Sequence, residues 1–296
     1  MWLTVTVTLE NEQLKAVFTE NGAEMVSLFG KEKRIEYLWQ ADPKFWGRHA
    51  PVLFPIVGRL KDDHYRFGEQ SYELHQHGFA RDQQFSLTKK TAELVTFTLS
   101  SSEVSKSKYP FDFILRVTYQ LYSDKVSVSY NVENPSSKEL YFSIGGHPAF
   151  NVPLTKEGDS FENYHVEILP YKKRKQIGLV GNYTDLAHAQ IKDIAQIALS
   201  RKTFSKDAVI LELQEEQTTL LLTNKKEDCG VRLQMEDAQY CGIWSPYPAD
   251  APFVCLEPWW GLADDLTASG KLSEKQAIHA LPAYAKFTGN YAITVF

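Results

Sequence analysis

The chain has 296 residues, 43% of them hydrophobic and 23% charged, with a formal net charge of −5. This composition is typical of a globular protein with a sizeable core, and the acidic balance argues against a nucleic-acid-binding protein. The three cysteines, Cys229, Cys241 and Cys255, form no CxxC spacing, which favours reduced thiols over a disulfide framework or a zinc site. The sequence shows no secretory leader and no stretch of membrane-spanning length, so we predict a cytoplasmic protein that binds no membrane.

Alternation of apolar and polar residues dominates the chain and predicts strands rather than helices. Residues 3–9 and 13–19 form a predicted hairpin, and residues 24–29 follow the Asn21-Gly22 turn signal. Further strands are predicted at residues 93–100, 113–121, 125–134, 140–144, 209–213, 218–223, 230–235, 240–244, 252–256 and 291–296.

Helical segments are few and short. Single turns are predicted at residues 43–46, 203–207 and 273–276, and the sequence shows no linker, low-complexity segment or internal repeat. Many short strands separated by turn signals are typical of a sandwich or barrel. We therefore predict an all-β fold, one large β-sandwich with few short helices, forming a single domain over residues 1–296.

One stretch, Cys255 to Gly261, places a carboxylate between an apolar strand and two tryptophans. Pro258 favours an extended backbone at Glu257, which predicts that this acid lies at the end of a strand. An indole such as that of Trp259 covers the apolar face of a sugar ring while a carboxylate reaches a hydroxyl, so this pattern favours a sugar site. The alternative is a strand-end glutamate beside two core tryptophans, Trp259 and Trp260.

Two histidines stand among small residues that leave room for a ligand. His77 precedes Gly78, with Arg81 four residues on, and His147 follows two glycines and precedes Pro148. Both are candidate acid–base groups, although a structural role is the alternative for each. His75 and His77 would face the same side of a strand, but no carboxylate completes a ligand set at a short spacing, so we predict no metal site.

Arg59 follows an apolar run, residues 51–58, that would deliver its guanidinium into a cleft. The alternative is an ordinary surface pair with Asp62 or Asp63. Motifs of other catalytic classes are missing from the sequence, which contains no G-x-S-x-G elbow, no P-loop and no dinucleotide-binding glycine motif.

Four motifs together resemble the aldose 1-epimerase (galactose mutarotase) superfamily, and within it the bacterial LacX-like branch. They occur in the order and spacing of that superfamily over almost the whole chain: Gly58-Arg59, His77-Gly78-Phe79-Ala80-Arg81, Gly146-His147-Pro148-Ala149-Phe150 and Glu257-Pro258-Trp259-Trp260-Gly261. The resemblance implies a large antiparallel β-sandwich, called a supersandwich, with a sugar in an open cleft. It also implies an isomerase that interconverts α and β anomers without a cofactor.

The resemblance also assigns roles to residues of this chain. Glu257 matches the general base, His147 the general acid and His77 the second active-site histidine. Arg59 matches the arginine that binds sugar hydroxyls, and Asp207, in a less distinctive context, matches an aspartate that does the same. In this mechanism Glu257 accepts the O1 proton, and His147, as imidazolium, protonates the ring oxygen.

The neighbouring tryptophans, Trp259 or Trp260, would desolvate Glu257 and raise its pKa towards the operating pH. The predicted partner is a small sugar, bound by a monomer or a homodimer.

Two departures leave the substrate open. Gly58 replaces the asparagine that typically precedes the substrate arginine, and the segment after His77 also resembles the hexose-6-phosphate epimerase branch. Arg81 would hold a phosphate through paired hydrogen bonds, unless Asp82 neutralises it in a surface pair. We favour free aldoses over the 6-phosphates, and a non-catalytic sugar-binding or sensor protein is the remaining alternative.

Overall fold

The computed structural model describes residues 6–155, 159–224 and 229–296. Within these ranges the chain is built almost entirely from short strands, numbered here in chain order. The strands are β1 (Thr6–Glu10), β2 (Leu14–Thr19), β3 (Met25–Gly30), β4 (Ile35–Glu36), β5 (Val52–Leu53), β6 (His64–Phe67), β7 (Gln70–Glu73), β8 (Ser86–Lys90), β9 (Leu94–Ser100), β10 (Ile114–Tyr122), β11 (Lys125–Glu133), β12 (Leu140–Phe142), β13 (Ile144–Gly146), β14 (Ala149–Asn151), β15 (Tyr164–Leu169), β16 (Lys173–Val180), β17 (Tyr183–Asp193), β18 (Gln196–Ala198), β19 (Val209–Glu212), β20 (Thr218–Asn224), β21 (Gly230–Met235), β22 (Tyr240–Trp244), β23 (Phe253–Trp260), β24 (His279–Leu281) and β25 (Lys286–Val295).

Helical structure is confined to short turns in these ranges. One α-helical turn, α1, covers Glu103–Lys106, and 3-10 turns cover Lys61–Asp63, Ala80–Asp82, Phe161–Asn163, Arg201–Phe204 and Leu272–Glu274. No helix in the described part of the chain is long and apolar enough to cross a membrane.

Two large sheets dominate the architecture. The first has nine strands in the order β18-β15-β20-β21-β25-β11-β10-β9-β8, and the second has the order β17-β16-β19-β22-β23-β13-β5, with β14 paired to β23 as its eighth strand. Smaller sheets are formed by β1 to β4, by β12 with β24 and by β6 with β7. All pairings between these strands are antiparallel in the described residues.

The two large sheets pack face to face through a common apolar core. Every second residue of β10 and β11 is buried, as expected for strands that turn one face to the core. Val128 of the nine-stranded sheet and Leu256 of the eight-stranded sheet belong to one buried cluster. Trp260 meets Tyr130 edge to face across this core, with ring centroids 6.2 Å apart. The predicted all-β sandwich is therefore confirmed.

Most predicted strands are present, some with shifted ends. β21 and β22 have the predicted bounds, whereas residues 3–5 of the first predicted strand lie outside the described residues. The single strand predicted at 140–144 is wrong, because the chain leaves one small sheet after Phe142 and enters the eight-stranded sheet at Ile144. The change occurs at Ser143, whose backbone N–H donates instead to the Pro55 carbonyl at 2.7 Å.

Several strands were not predicted, including the run β15 to β18. The edge strand β17 is mostly exposed along its second half, so it lacks the alternation that reveals a half-buried strand. The single turn predicted at 43–46 is present: the backbone N–H groups of Phe45 and Trp46 both donate to the Asp42 carbonyl, each at 3.0 Å. The other two predicted turns are 3-10 turns that begin one or two residues earlier.

Candidate active site

Strand β23 carries the stretch Cys255 to Gly261 and separates its side chains between two environments. Leu256 and Trp260 point into the core between the large sheets. Glu257 and Trp259 point to the opposite face, where they line a cleft of about 350 Å³. Alternation along one strand therefore gives the two neighbouring tryptophans different functions: Trp260 fills the core and Trp259 borders the cleft.

Glu257 lies inside β23, so the prediction that it ends a strand is wrong. The strand continues past Pro258 because its neighbour is interrupted at the matching point. β13 pairs with Trp259 and Trp260, and β14 pairs with the residues from Phe253 to Cys255. The backbone N–H of Leu256 points into this interruption, and the missing N–H of Pro258, two residues later, falls on the same side. A proline is tolerated in this strand because no partner requires its hydrogen bond.

His147 and Pro148 occupy the interruption between β13 and β14. The His147 backbone N–H donates to the Pro51 carbonyl at 3.1 Å, and the Pro148 carbonyl accepts from Leu256 at 3.1 Å. These two bonds hold the histidine beside the middle of β23. As a result, His147 Nε2 lies 3.1 Å from Glu257 Oε2, and both side chains are at least nine-tenths buried.

Burial sets the protonation of this pair. It raises the pKa of Glu257 well above its usual value, the nearby charge of Asp207 raises it further, and a contact with the Trp259 side chain opposes the rise. Burial, with smaller contributions from the positive charges of Arg81 and Arg48, lowers the pKa of His147 to about 3.

Both shifts favour the neutral form of the pair, in which the carboxyl of Glu257 is protonated. The pKa of Glu257 is raised, as predicted, but Trp259 opposes the rise and Trp260 points into the core instead of covering the carboxyl. The lowered pKa of His147 disfavours the imidazolium form expected from the sequence as long as the ring stays buried, because a charged ring would have to be desolvated.

His77 lies in a turn after β7, not on a strand, and has a positive φ of 62°. The prediction that His75 and His77 share a strand face is therefore wrong. His75 is 73% exposed and lies near Glu73 and Asp63, whereas His77 is buried at the cleft.

The Gly58 backbone N–H donates to His77 Nδ1 at 3.1 Å, so Nε2 carries the proton in the neutral ring. Burial lowers the pKa of His77 well below its usual value, and its ring meets that of His147 edge to face.

Gly58 also holds Arg59 in place. Its φ is +70°, and a Cβ there would lie 2.4 Å from the Ala263 Cβ, so only glycine fits. Arg59 lines the cleft, where its predicted site role requires it, and also donates to Asp63 at 3.2 Å, which is the ion pair given as the alternative. Its Nε is buried without a hydrogen-bond partner.

Arg81 lines the same cleft from a 3-10 turn. Its Nη2 donates to the Gln76 carbonyl at 2.8 Å, and its Nε lies 3.8 Å from Asp82 Oδ2. Asp82 makes the shorter ion pair, 2.8 Å, with Arg48. The pairing with Asp82 anticipated from the sequence is therefore long, and Arg81 keeps a buried Nε that has no hydrogen-bond partner.

Asp207 lines the same cleft and has a φ of 69°. Burial raises its pKa, while hydrogen bonds from the Ala208 backbone and the Trp244 side chain oppose that rise. The charge of Asp207 acts on Glu257, as described above, so the two acids are close enough to influence each other. Although its sequence match is less distinctive, Asp207 lies in the same cleft as the other six predicted residues: Arg59, His77, Arg81, His147, Glu257 and Trp259.

Two tryptophans of the cleft were missed. Trp46 lies over His147 with ring centroids 4.9 Å apart, and Trp244 contacts His147 at 5.8 Å. Two adjacent aromatic residues in a loop, Phe45 and Trp46, were the sequence signal that could have identified Trp46 as a site residue. Trp244 is the last residue of β22, a strand whose bounds were predicted correctly. Gln76 and Asn182 also border the cleft, and neither stands out in the sequence.

Comparison with known proteins decides the family. The family described as aldose 1-epimerase matches residues 5–271. The chain belongs to the aldose 1-epimerase family. The plasmid-encoded protein LacX of Lactococcus lactis subsp. lactis is 30% identical to it, over 98% of this chain and 99% of LacX. The LacX-like resemblance seen in the sequence is therefore confirmed, and family membership indicates a sugar isomerase type of enzyme.

Solved structures of family relatives share the whole fold. A galactose mutarotase related enzyme from Lactobacillus acidophilus is 38% identical, with a TM-score of 0.97, covering 99% of this chain and 97% of that one. A galactose mutarotase-like protein from Lactobacillus casei is 34% identical, with a TM-score of 0.90, covering 99% and 100%. The aldose 1-epimerase fold thus extends over nearly the full length of both chains.

Proposed function

We propose that the protein is an aldose 1-epimerase that interconverts the α and β anomers of a free hexose by acid–base catalysis. The observation that carries this proposal is the contact between His147 Nε2 and Glu257 Oε2, 3.1 Å apart and buried at a cleft. In a cyclic sugar the O1 hydroxyl and the ring oxygen are bonded to the same carbon. Mutarotation moves one proton from the first oxygen and one to the second, so it needs an acid and a base side by side.

The reaction follows from this arrangement. Glu257, as carboxylate, takes the O1 proton; the C1–ring-oxygen bond breaks, its electron pair moves to the ring oxygen, and His147 protonates that oxygen. The resulting aldehyde rotates about C1–C2 and presents its other face. Reclosure uses the same two groups with their roles exchanged, which returns both protons to their starting positions.

The proton inventory of the pair supports this mechanism. One proton is shared by two contacting groups, and the neutral form and the carboxylate–imidazolium form differ only by its transfer over 3.1 Å. Burial favours the neutral form before sugar binds. In our proposal sugar oxygens then donate to Glu257 and accept from His147, which stabilises the ionised form used in the first step.

His77 serves as a fixed hydrogen-bond donor in this proposal. The Gly58 N–H occupies its Nδ1, so its Nε2–H is available to a sugar oxygen, and its pKa, lowered by burial, keeps the ring neutral. His77 therefore assists the reaction without exchanging a proton with the solvent. This separates its role from that of His147, whose Nε2 contacts the carboxyl of Glu257.

The remaining side chains of the cleft orient the sugar. Asp207 accepts from hydroxyl groups, and Arg59 donates to them through its guanidinium fork. Trp259 offers an indole to the apolar face of the ring. These groups are consistent with a neutral, polyhydroxylated ring, and the acid–base chemistry proposed here uses no metal or redox cofactor.

Anomer exchange tests the proposal directly. Freshly dissolved α-glucose and α-galactose are followed by polarimetry or by NMR exchange, with and without protein. We expect the approach to the anomeric equilibrium to accelerate with protein concentration. A rate equal to that of buffer for every aldose tried, in protein that binds sugar, would support the non-catalytic alternative instead.

One observation favours a second candidate, a hexose-6-phosphate 1-epimerase. Arg59 and Arg81 border the same cleft, and each has a buried Nε without a hydrogen-bond partner. A phosphate would satisfy both. We place it second because Asp63 already engages Nη1 of Arg59, and the Gln76 carbonyl already engages Nη2 of Arg81.

A further inference from the structure

The catalytic pair has a third neighbour that the proposed reaction does not use. Cys255 precedes Glu257 by two residues on β23, so both side chains point to the same face of the sheet. The sulfur of Cys255, a ring nitrogen of His147 and a carboxylate oxygen of Glu257 all lie within 4.8 Å of one another. All three residues are buried.

We propose that Cys255, His147 and Glu257 form an inhibitory site for Zn²⁺ or a similar thiophilic transition-metal ion. Sulfur, imidazole nitrogen and carboxylate oxygen are the three ligand types that zinc uses in proteins. Two ligands at about 2.0 Å on a tetrahedral zinc are about 3.3 Å apart, close to the His147–Glu257 separation of 3.1 Å. A small rotation of the Cys255 side chain supplies the third ligand.

The charges of this set match a divalent ion. A thiolate and a carboxylate carry two negative charges, so a complex with Zn²⁺ and a neutral imidazole has no net charge, which suits a buried site. Binding displaces the thiol proton of Cys255 and the proton held by the pair, and both leave to the solvent. Mg²⁺ and Ca²⁺ prefer six or more oxygen ligands and do not fit this set.

The surroundings leave the fourth coordination position to the cleft. His147 and Glu257 border the cleft, whereas Cys255 packs behind them with Trp39 and Phe253. An ion held by the three residues therefore binds the side-chain atoms of His147 and Glu257 that would otherwise contact the sugar oxygens. Inhibition rests on the proposed function, but metal binding itself does not.

Cobalt provides the test, because Co²⁺ bound to a thiolate gives a sulfur-to-metal charge-transfer band that oxygen and nitrogen ligands do not give. The native protein is titrated with CoCl₂ and ZnCl₂ while this band and the fluorescence of Trp46 and Trp244, which contact His147, are recorded. We expect one ion per chain, displaced by an excess of sugar, and loss of anomer exchange that a chelator reverses. MgCl₂ should have no effect.

Two variants identify the ligand. Cys255→Ala removes the sulfur, whereas Cys241→Ala removes an equally buried cysteine that points into the core from the neighbouring strand β22. We expect Cys255→Ala to lose the charge-transfer band and more than about 100-fold in metal affinity, since even outer-sphere changes cost up to that much. Cys241→Ala should keep both, and both variants should keep anomer exchange in metal-free buffer.

Three results would overturn the proposal. The first is a native protein without a thiolate band. The second is an unchanged affinity in Cys255→Ala, which would place the ion at an exposed histidine such as His75 or His188. The third is a bound ion that sugar does not displace in a protein shown to bind sugar. If Cys255→Ala does not fold, Cys255→Ser, which keeps the size of the side chain but removes the sulfur, gives the answer: the charge-transfer band must be lost.

If the protein binds Co²⁺ through Cys255 but catalyses no anomer exchange, the proposed function fails and the metal site stands.

Discussion

The carbonyl of Pro148 accepts a hydrogen bond from the backbone N–H of Leu256, at 3.1 Å. This bond crosses the interruption between β13 and β14. It therefore holds His147, which precedes Pro148, next to Glu257, which follows Leu256. Two prolines, Pro148 and Pro258, border the same interruption, one on each side. The acid–base contact is thus a consequence of how two strands fail to pair, and rigid backbone holds both catalytic candidates.

The acid is tested by His147→Asn. We expect anomer exchange to slow by about 10²–10⁴-fold, the usual contribution of one positioned acid–base group, with a modest loss of stability because the ring borders a cleft. Exchange is measured by NMR and stability by denaturant unfolding. His77→Asn is the matched variant and should slow exchange less, since His77 only donates a hydrogen bond. A folded His147→Asn protein with normal turnover, beside an inactive His77→Asn protein, would reverse the two assignments.

The pH profile of kcat/KM follows from the proton shared by the pair. The pair gains a second proton only near the lowered His147 pKa of about 3, and it loses its single proton only above the raised pKa of Glu257. We therefore expect no acid limb around pH 6.5, where an ordinary histidine titrates. The alkaline limb should lie well above the usual range of a glutamate.

Asp207→Asn provides the control for this profile. It removes a negative charge that raises the pKa of Glu257, so the alkaline limb should move to lower pH while the acid side stays unchanged. Because Asp207 also borders the cleft, its substitution changes the overall activity as well, so the pH of the alkaline limb is compared and not the maximum of kcat/KM. An acid limb centred near pH 6.5 in the native protein would contradict the neutral pair.

Arg81→Ala distinguishes free from phosphorylated sugars. If free hexoses are the substrate, kcat/KM on glucose or galactose should fall only a few-fold and activity on the 6-phosphates should stay low. Arg116→Ala, which removes a surface arginine paired with Glu133 on the other large sheet, is the control. A strong native preference for the 6-phosphates that Arg81→Ala abolishes would replace the free hexose by its phosphate.

Trp244→Phe tests how Asp207 is held. The variant keeps an aromatic ring beside His147 but removes the indole N–H that bonds Asp207. A hydrogen bond to a charged group contributes about 1.5 kcal/mol or more, so we expect KM to rise about tenfold or more, with kcat changed less. Steady-state kinetics with the preferred sugar measure both constants. An unchanged KM would show that Trp244 only packs against the histidine.

The local sequence was sufficient to predict strands with an alternating pattern and the residues that border the cleft. The alternation in β10 and β11 gave their bounds to within one residue at each end, because every second residue of these strands faces the core. The glycines and prolines around His147 and Glu257 identified both as unusual positions, and all seven predicted site residues border one cleft.

Features that depend on a partner strand were not predictable. Pro258 reads as the end of a strand unless the gap between β13 and β14 is known, and that gap exists only in the folded sheet. Trp46 reaches His147 through loop packing, and no spacing in the sequence connects the two. The lowered pKa of His147 was not predictable either, because it results from burial that the sequence around the histidine does not show.

The central claim, that Glu257 and His147 act as one acid–base pair on a sugar, is tested most directly by NMR exchange between anomers in Glu257→Gln. The amide keeps the shape of the side chain and its hydrogen bonding but accepts no proton from O1. We predict that exchange falls by about 10²–10⁴-fold while sugar binding, measured by calorimetry on the same sample, persists. Near-native exchange in a folded, sugar-binding Glu257→Gln protein would contradict the account.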